Sequence, residues 1–228
     1  MSLFAIADLH LPLGVDKPMD IFKGWDNYVE RLEQNWRRIV TEKDSVVIAG
    51  DISWAMNLKQ ANADFSFLHT LPGKKILIKG NHDYWWTTRR KMEEYFSLNG
   101  FDTLRILHNS AEVVDDYAVC GTRGWFFDAE QQDDHKVLLR EVGRLKRSID
   151  AAEKTGKQPV VFLHYPPVFD NSQCDEIMSV LRKHCIKQCY YGHIHGKTAR
   201  RIVERTVDGI KMKLISCDAV DFMPILVG

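Results

Sequence analysis

Short apolar runs alternate along this chain with segments whose apolar residues recur at helical spacing, and this rhythm limits the possible folds more than any other feature. The apolar runs predict buried strands at 3–7, 46–49, 75–79, 160–163 and 188–191. Helical spacing predicts helices over about 26–40, 58–68, 89–98, 138–149 and 177–184. Such an alternation is typical of an α/β fold.

Further strands are predicted around 104–107 and 113–121, where the apolar pattern is weaker. Towards the C-terminus, Asp208-Gly209 separates two apolar segments at 201–207 and 210–215, and this dipeptide is a strong signal for a β-hairpin. The sequence contains no internal repeat and no long linker rich in Pro, Gly or Ser. We therefore expect residues 1–228 to form a single domain.

The charge balance argues against a protein that binds nucleic acid or anionic membranes through a general basic field. Lysine and arginine total 31 residues, and aspartate and glutamate also total 31. The N-terminal residues lack the basic segment of a signal peptide, and no apolar run reaches the length of a membrane span. We expect no membrane partner, and the sequence does not indicate an oligomeric state.

The cysteine pattern is that of a reduced protein. Five cysteines are present and none forms a CxxC pair, so the sequence predicts neither a disulfide framework nor a structural zinc site of the usual spacing. Buried, reduced thiols are typical of proteins in the cytoplasm, which is the predicted location.

Polar residues that can bind metal follow five of the predicted strands. They stand in the segments Asp8-Leu9-His10, Gly50-Asp51, Gly80-Asn81-His82-Asp83, His164 and Gly192-His193-Ile194-His195. Because the carboxyl ends of strands in open α/β sheets gather at one crevice, these segments can converge although they span most of the chain.

Each segment also has an ordinary structural interpretation. A lone Asp-x-His is a weak signal, and Gly-Asp after a strand is usually a turn or a helix cap. Gly-Asn-His-Asp is more specific, and Gly-His-x-His places two imidazoles on the same side of an extended segment. The occurrence of all five segments in one chain is what indicates a metal site.

The type of ligand and the number of ligands predict a site with two metal ions. Carboxylate, amide and imidazole donors without a thiolate favour Mn, Fe, Zn or Ni. The candidate ligands exceed what one tetrahedral ion needs and fit two ions that share a carboxylate: Asp8, His10, Asp51, Asn81, His164, His193 and His195. Two cations about 3.5–4 Å apart can clamp a phosphoryl oxygen and activate a water that attacks phosphorus.

These segments together resemble the motif set of the calcineurin-like metallophosphoesterases, and the resemblance extends from residue 8 to residue 195. It implies a four-layer α/β/β/α sandwich, in which two mixed β-sheets pack together and helices flank them. It also implies hydrolysis of a phosphomonoester or phosphodiester. Trp54 departs from the pattern, since many members have Asp or Asn at this position, and the departure bears on the substrate class.

The resemblance also implies a role for each residue. The first metal is expected at Asp8, His10 and His195, the second at Asn81, His164 and His193, with Asp51 bridging the two. His82 is expected to act as general acid for the leaving group, with Asp83 as its orienting partner. A histidine suits this role because it can carry a proton near neutral pH.

The substrate is predicted less sharply than the chemistry. Arg123 follows a predicted strand and is a candidate for binding a substrate phosphate, with a surface ion pair as the alternative. Aromatic residues near the motifs either stack on a substrate or belong to the core: Trp54, Tyr84, Trp85, Trp86, Trp125, Phe126, Phe127 and Tyr165. We expect a small or medium phosphoester.

Other functions remain open from the sequence. A nuclease acting on DNA or RNA would use the same two-metal chemistry, although the balanced charge does not favour it. A non-catalytic scaffold with this fold is a further alternative, but such proteins usually lose some ligands or the acid. No Gly-x-Ser-x-Gly segment is present, so nothing supports a serine hydrolase of that type.

Overall fold

The first of two large β-sheets is built mainly from parallel strands. The computed structural model describes residues 1–125, 132–170, 172–199 and 204–228. The strand order in this sheet is β13-β1-β2-β3-β4, and β13 is antiparallel to β1. The strands are β1 (Leu3–Ile6), β2 (Ser45–Ala49), β3 (Lys74–Ile78), β4 (Leu104–Ile106) and β13 (Ile225–Leu226).

The second sheet is also mixed. Its order is β11-β12-β10-β7-β6-β5, with a parallel centre and an antiparallel strand at each edge. Its strands are β5 (Glu112–Val114), β6 (Tyr117–Thr122), β7 (Gln158–Leu163), β10 (Gln188–Tyr191), β11 (Glu204–Val207) and β12 (Ile210–Leu214). A separate small hairpin comprises β8 (Val168–Phe169) and β9 (Ser172–Gln173).

Helices cover the outer face of each sheet. They are α1 (Tyr28–Ile39), α2 (Asn62–Thr70), α3 (Arg89–Leu98), α4 (Gln132–Glu153), α5 (Asp175–Lys183) and the short α6 (Gly196–Ala199). None of the helices in the described part of the chain is long and apolar enough to cross a membrane.

Alternation along the strands creates the four layers. On β1, Phe4 and Ile6 point into a core shared with α1, whereas Ala5 points to a core that contains Phe162 of the second sheet. On β7, Val161 faces a third core, which includes apolar residues of α4 and α5. Successive side chains of a strand point to opposite faces, so each sheet is buried on both sides. The predicted α/β/β/α sandwich is confirmed.

The two sheets meet at the ends where the candidate ligands lie. Ala7, which directly follows β1, forms a parallel β-bridge with Ser216, two residues after the end of β12. The Ala7 N–H donates to the Ile215 carbonyl over 2.8 Å, and the Ala7 carbonyl accepts from the Cys217 N–H over 2.9 Å. These bonds join the C-terminal segment to the end of β1.

The predicted elements are largely present, and their boundaries differ where local turns intervene. Helix α3 has the predicted bounds, and Thr88 caps it by accepting a hydrogen bond from the Lys91 N–H. Helix α1 begins at Tyr28 because Asn27 adopts a left-handed conformation. The predicted strand at 201–207 is described only from Glu204, since 201–203 lie outside the described residues. The five cysteines are free thiols, and Cys185 is the exposed one.

Candidate metal centre

Left-handed backbone conformations turn the candidate ligands away from the strand ends. Non-glycine residues adopt positive φ at Asp8 (61°), His10 (46°), Asp51 (50°) and His193 (72°). Such conformations are costly for residues with a Cβ and persist where the surrounding structure holds them. Here the His10 N–H donates to the Asp51 carbonyl over 2.9 Å, which ties the first two ligand segments together.

One group of side chains contains Asp8, His10 and His195. Their ligand atoms lie within 4.8 Å of one another. The Nε2 atom of His195 is 3.5 Å from Oδ1 of Asp8, and both Asp8 and His10 are buried. The Asp8 carboxylate also accepts the His193 N–H over 2.9 Å, which fixes its orientation.

A second group contains Asp51, His164 and His193, again with ligand atoms within 4.8 Å of one another. Asn81 joins it, because its Oδ1 lies 2.6 Å from Nε2 of His164 and 3.0 Å from Nδ1 of His193. The Nδ1 atom of His164 lies 3.1 Å from the Ala49 carbonyl. Donation to that carbonyl leaves Nε2 of His164 as the lone-pair nitrogen facing the group.

Asp51 lies between the two groups. Its Oδ2 is 3.7 Å from Nε2 of His10, and its Oδ1 is 3.5 Å from Nε2 of His164. A Cβ at Gly80 would overlap the Asp51 carboxylate, so the backbone of the third ligand segment comes this close only because residue 80 is glycine. The structure thus brings all the predicted metal ligands together.

The pKa values of the candidate ligands are consistent with a site for cations. Burial lowers the pKa of His10 to about 3 and that of His193 to about 4, which leaves the neutral imidazoles that bind metals. Burial and the charge of Asp8 raise the pKa of Asp51 to about 8. Among the described residues, Nδ1 of His10 and Nε2 of His195 are buried without a hydrogen-bond partner. A bound cation would stabilise the Asp51 carboxylate and would be a partner for these ring nitrogens.

His82 lies at the edge of this centre. Its N–H donates to Oδ1 of Asp51 over 2.8 Å, and its ring packs against Trp54 with 4.6 Å between centroids. No described residue hydrogen-bonds to Nδ1 of His82, which is buried. Burial, followed by the charges of His164 and Lys17, lowers the pKa of His82.

Asp83 is buried, and its carboxylate accepts hydrogen bonds from the backbone of two loops. Its Oδ2 accepts the Gly80 N–H over 2.7 Å, and its Oδ1 accepts the Ile52 N–H over 2.9 Å and the Trp85 indole N–H over 3.0 Å. The sequence predicted Asp83 as the partner that orients His82. Its hydrogen bonds instead connect the segments that carry Asp51 and Asn81.

Arg123 lies beside the second group. Its carbonyl accepts the N–H groups of His164 over 3.1 Å and Tyr165 over 2.8 Å. Its guanidinium is 3.6 Å from Oε1 of Glu141 and 4.9 Å from the centroid of the Trp125 ring. The ion pair that was the alternative to substrate binding is therefore present, and Arg123 is also next to the candidate centre.

The aromatic residues near the motifs divide between core and site. Trp85 belongs to the core. Trp54 stacks on His10 with 4.6 Å between the ring centroids. The Lys17 ammonium lies 4.3 Å from the centroid of the Trp54 ring. Tyr84 is 54% exposed and packs edge-on against His82. Phe126 and Phe127 lie outside the described residues.

Comparison with known families decides what this arrangement belongs to. The sequence model of the calcineurin-like phosphoesterases matches residues 1–197. The chain belongs to this family. The resemblance inferred from the motifs is confirmed, and with it a hydrolase of phosphoesters that uses divalent metal ions. No curated protein matches the chain.

Solved structures share the fold of this calcineurin-like phosphoesterase at low sequence identity. A protein from Thermus thermophilus is 12% identical, with a TM-score of 0.61, and the match covers 99% of this chain and 97% of the other. The phosphopantetheinyl hydrolase of Mycobacterium tuberculosis is 14% identical, with a TM-score of 0.52 and coverage of 94% and 88%. A protein of unknown function from Aquifex aeolicus is 17% identical, with a TM-score of 0.51 and coverage of 99% and 95%.

Asp218 is a residue of the centre that the sequence analysis missed. Its Oδ1 lies 2.8 Å from Nδ1 of His195, and its Oδ2 accepts the Gly196 N–H over 2.8 Å. Burial disfavours the charged form of His195, but Asp8 and Asp218 outweigh burial and raise the pKa of His195 to about 10. Asp218 stands beyond the end of β12, so extending the search to that strand would have found it.

Replacing Asp218 by asparagine is expected to weaken metal binding by about 10–100-fold, because a carboxylate that accepts from a ligand histidine fixes its orientation and raises its basicity. Titration of metal-free protein with Mn²⁺ or Zn²⁺, followed by calorimetry, measures the change. Asp221→Asn is the matched control, since Asp221 is an exposed aspartate three residues away. Equal affinities in the three proteins would show that Asp218 does not support His195.

Proposed function

We propose that this phosphoesterase hydrolyses a phosphomonoester or phosphodiester with two divalent metal ions. Asp8, His10 and His195 would hold the first ion, and Asn81, His164 and His193 the second, with Asp51 shared. The position of Asp51 carries this proposal, because each of its carboxylate oxygens faces a different histidine group, at 3.7 Å from His10 and 3.5 Å from His164.

The ions, Mn, Fe, Zn or Ni by the donor set, would supply positive charge for the phosphoryl oxygens and lower the pKa of a water molecule. The residues of the chain do the remaining work. His82, in its protonated form, donates a proton to the leaving-group oxygen. Arg123 binds a phosphoryl oxygen through its guanidinium.

Asp83 supports this chemistry by positioning. Its carboxylate accepts N–H groups from the loops after β2 and β3 and thereby holds Asp51 and Asn81 in register. We also propose that residues 1–228 act as one domain, because β11 and β12 belong to the second sheet, β13 belongs to the first, and Asp218 contacts His195. We propose a small or medium phosphoester as the substrate, because the balanced charge does not favour nucleic acid.

Removal of metal tests this proposal. Purified protein treated with a chelator is expected to lose hydrolysis of p-nitrophenyl phosphate or of bis(p-nitrophenyl) phosphate, and adding back Mn, Fe, Zn or Ni separately should restore it. Elemental analysis should find about two ions per chain in the active form. Circular dichroism before and after chelation controls for unfolding. Undiminished hydrolysis by folded, metal-free protein would refute the proposal.

A further inference from the structure

A small cleft opens between the two sheets, beside the second group of candidate ligands. Residues at the ends of β3, β4 and β6 and on α4 form its walls, among them Lys79, His108, Thr122, Arg123, Glu141 and Arg144. None of the predicted metal ligands lines the cleft, so it is a separate feature of the surface.

Positive charge exceeds negative charge in this cleft. Glu141 is the carboxylate among the lining residues, and its side chain is only 1% exposed. It accepts hydrogen bonds from the Thr122 hydroxyl over 2.6 Å and from Arg144, and it lies 3.6 Å from Arg123. One buried carboxylate therefore serves two arginines, and the cleft contains a third cation that is not bonded to it.

Lys79 is that third cation. Its side chain is half-buried, and it makes no hydrogen bond or ion pair with any residue in the described part of the chain. The Nε atom of Arg123 is likewise buried without an acceptor among those residues. Burial and the charges of Arg123 and Arg144 disfavour the Lys79 ammonium, and the charges of Asp83 and Glu141 compensate only in part. A bound anionic group would offset both.

The cleft is close enough to the centre to receive part of the same molecule. Lys79 precedes Asn81 by two residues along one extended segment, which spans at most about 7 Å. On the other wall, the Arg123 carbonyl accepts the N–H of His164. Two of the proposed ligands of the second metal are thus directly connected to residues of the cleft.

We propose that this cleft binds a second phosphate group of the substrate, so that the substrate carries one phosphate that is hydrolysed and another that is only recognised. Lys79 and Arg144 are the specificity-determining residues, because a phosphate has enough acceptor oxygens to bind both. Charge-assisted hydrogen bonds of this kind are among the strongest in proteins. The inference rests on the proposed function, since it assigns the substrate of the same centre.

Matched substrates test the inference. The metal-loaded protein is assayed for phosphate release from glycerol and adenosine monophosphates and from the corresponding bisphosphates, which separate the two phosphates by different lengths. We expect at least one bisphosphate to show a kcat/KM about tenfold or more above its monophosphate. In Lys79→Met and Arg144→Met, that ratio should fall towards one. Lys91→Met, which changes an exposed lysine of α3, is the control and should keep the ratio.

The outcomes separate this inference from the proposed function. Hydrolysis of monophosphates without any preference for a bisphosphate, or a preference that survives Lys79→Met, would overturn the cleft assignment alone. Absence of turnover with every ester would overturn the proposed function as well. If free inorganic phosphate accelerates monophosphate hydrolysis by the unaltered protein and not by Lys79→Met, the occupant is a free anion and the assignment to substrate is wrong.

Discussion

Replacing Asp51 by asparagine is expected to abolish most metal binding and to lower kcat by more than about a hundredfold. The carboxylate lies between the two histidine groups and is proposed to serve both ions, so the loss of its charge weakens both sites together. Asparagine keeps the oxygen that accepts the His82 N–H, which preserves the local backbone. Elemental analysis and turnover of p-nitrophenyl phosphate measure the two effects.

The control for this prediction is Asp16→Asn, which removes a carboxylate from an exposed loop. It should retain metal content and turnover, while thermal unfolding of both variants shows that each is folded. An Asp51→Asn protein that keeps about two ions and normal turnover would show that Asp51 does not bridge the centre.

His82→Asn is expected to slow turnover by about 10²–10⁴-fold while the metal content stays unchanged. Asparagine retains the backbone N–H that donates to Asp51 but cannot transfer a proton to the leaving group. The loss should be larger for phenyl phosphate than for p-nitrophenyl phosphate, because nitrophenolate leaves readily without protonation. Steady-state kinetics with both esters, together with elemental analysis, measure this difference.

His135→Asn changes an exposed histidine on α4 and serves as the matched control, with no expected effect on either ester. If His82→Asn hydrolyses phenyl phosphate at the normal rate, His82 is not the general acid. Equal losses for the two esters would assign His82 to substrate positioning instead of proton transfer.

Elements with long or regular patterns were predictable from the sequence. Helix α3 and strand β10 occur with the predicted bounds, because apolar periodicity within one element determines which face is buried. Strand β13 was missed, since two residues carry no periodic signal and their conformation depends on pairing with β1. The turn at Asn27 that delays α1 likewise depends on its surroundings, because Trp25, two residues earlier, packs against His10 and Phe222.

The residues of the candidate centre could be predicted from the sequence, whereas the contacts that support them were less predictable. Asp8, Asp51 and His164 stood out because polar residues followed buried strands, and the structure brings them together. The partners of Asp83 could not be predicted, since they are backbone N–H groups of two loops that meet only in the folded chain. It is equally invisible in the sequence that Lys79 lines a cleft and has no hydrogen-bond or ion-pair partner among the described residues.

The resemblance of the motifs to a known family implied the four-layer sandwich, and the sequence by itself determined the α/β class of fold and the set of ligand-type residues at the strand ends. These features follow from the types of residue and their order in the chain, and the metal preference of a side chain can be judged without knowing the fold. Only the tertiary structure decided that Asp51 lies between two histidine groups, that Asp218 supports His195 and that a cationic cleft adjoins the centre. The reason is that distance and burial are properties of segments far apart in the chain, and they arise when the two sheets pack.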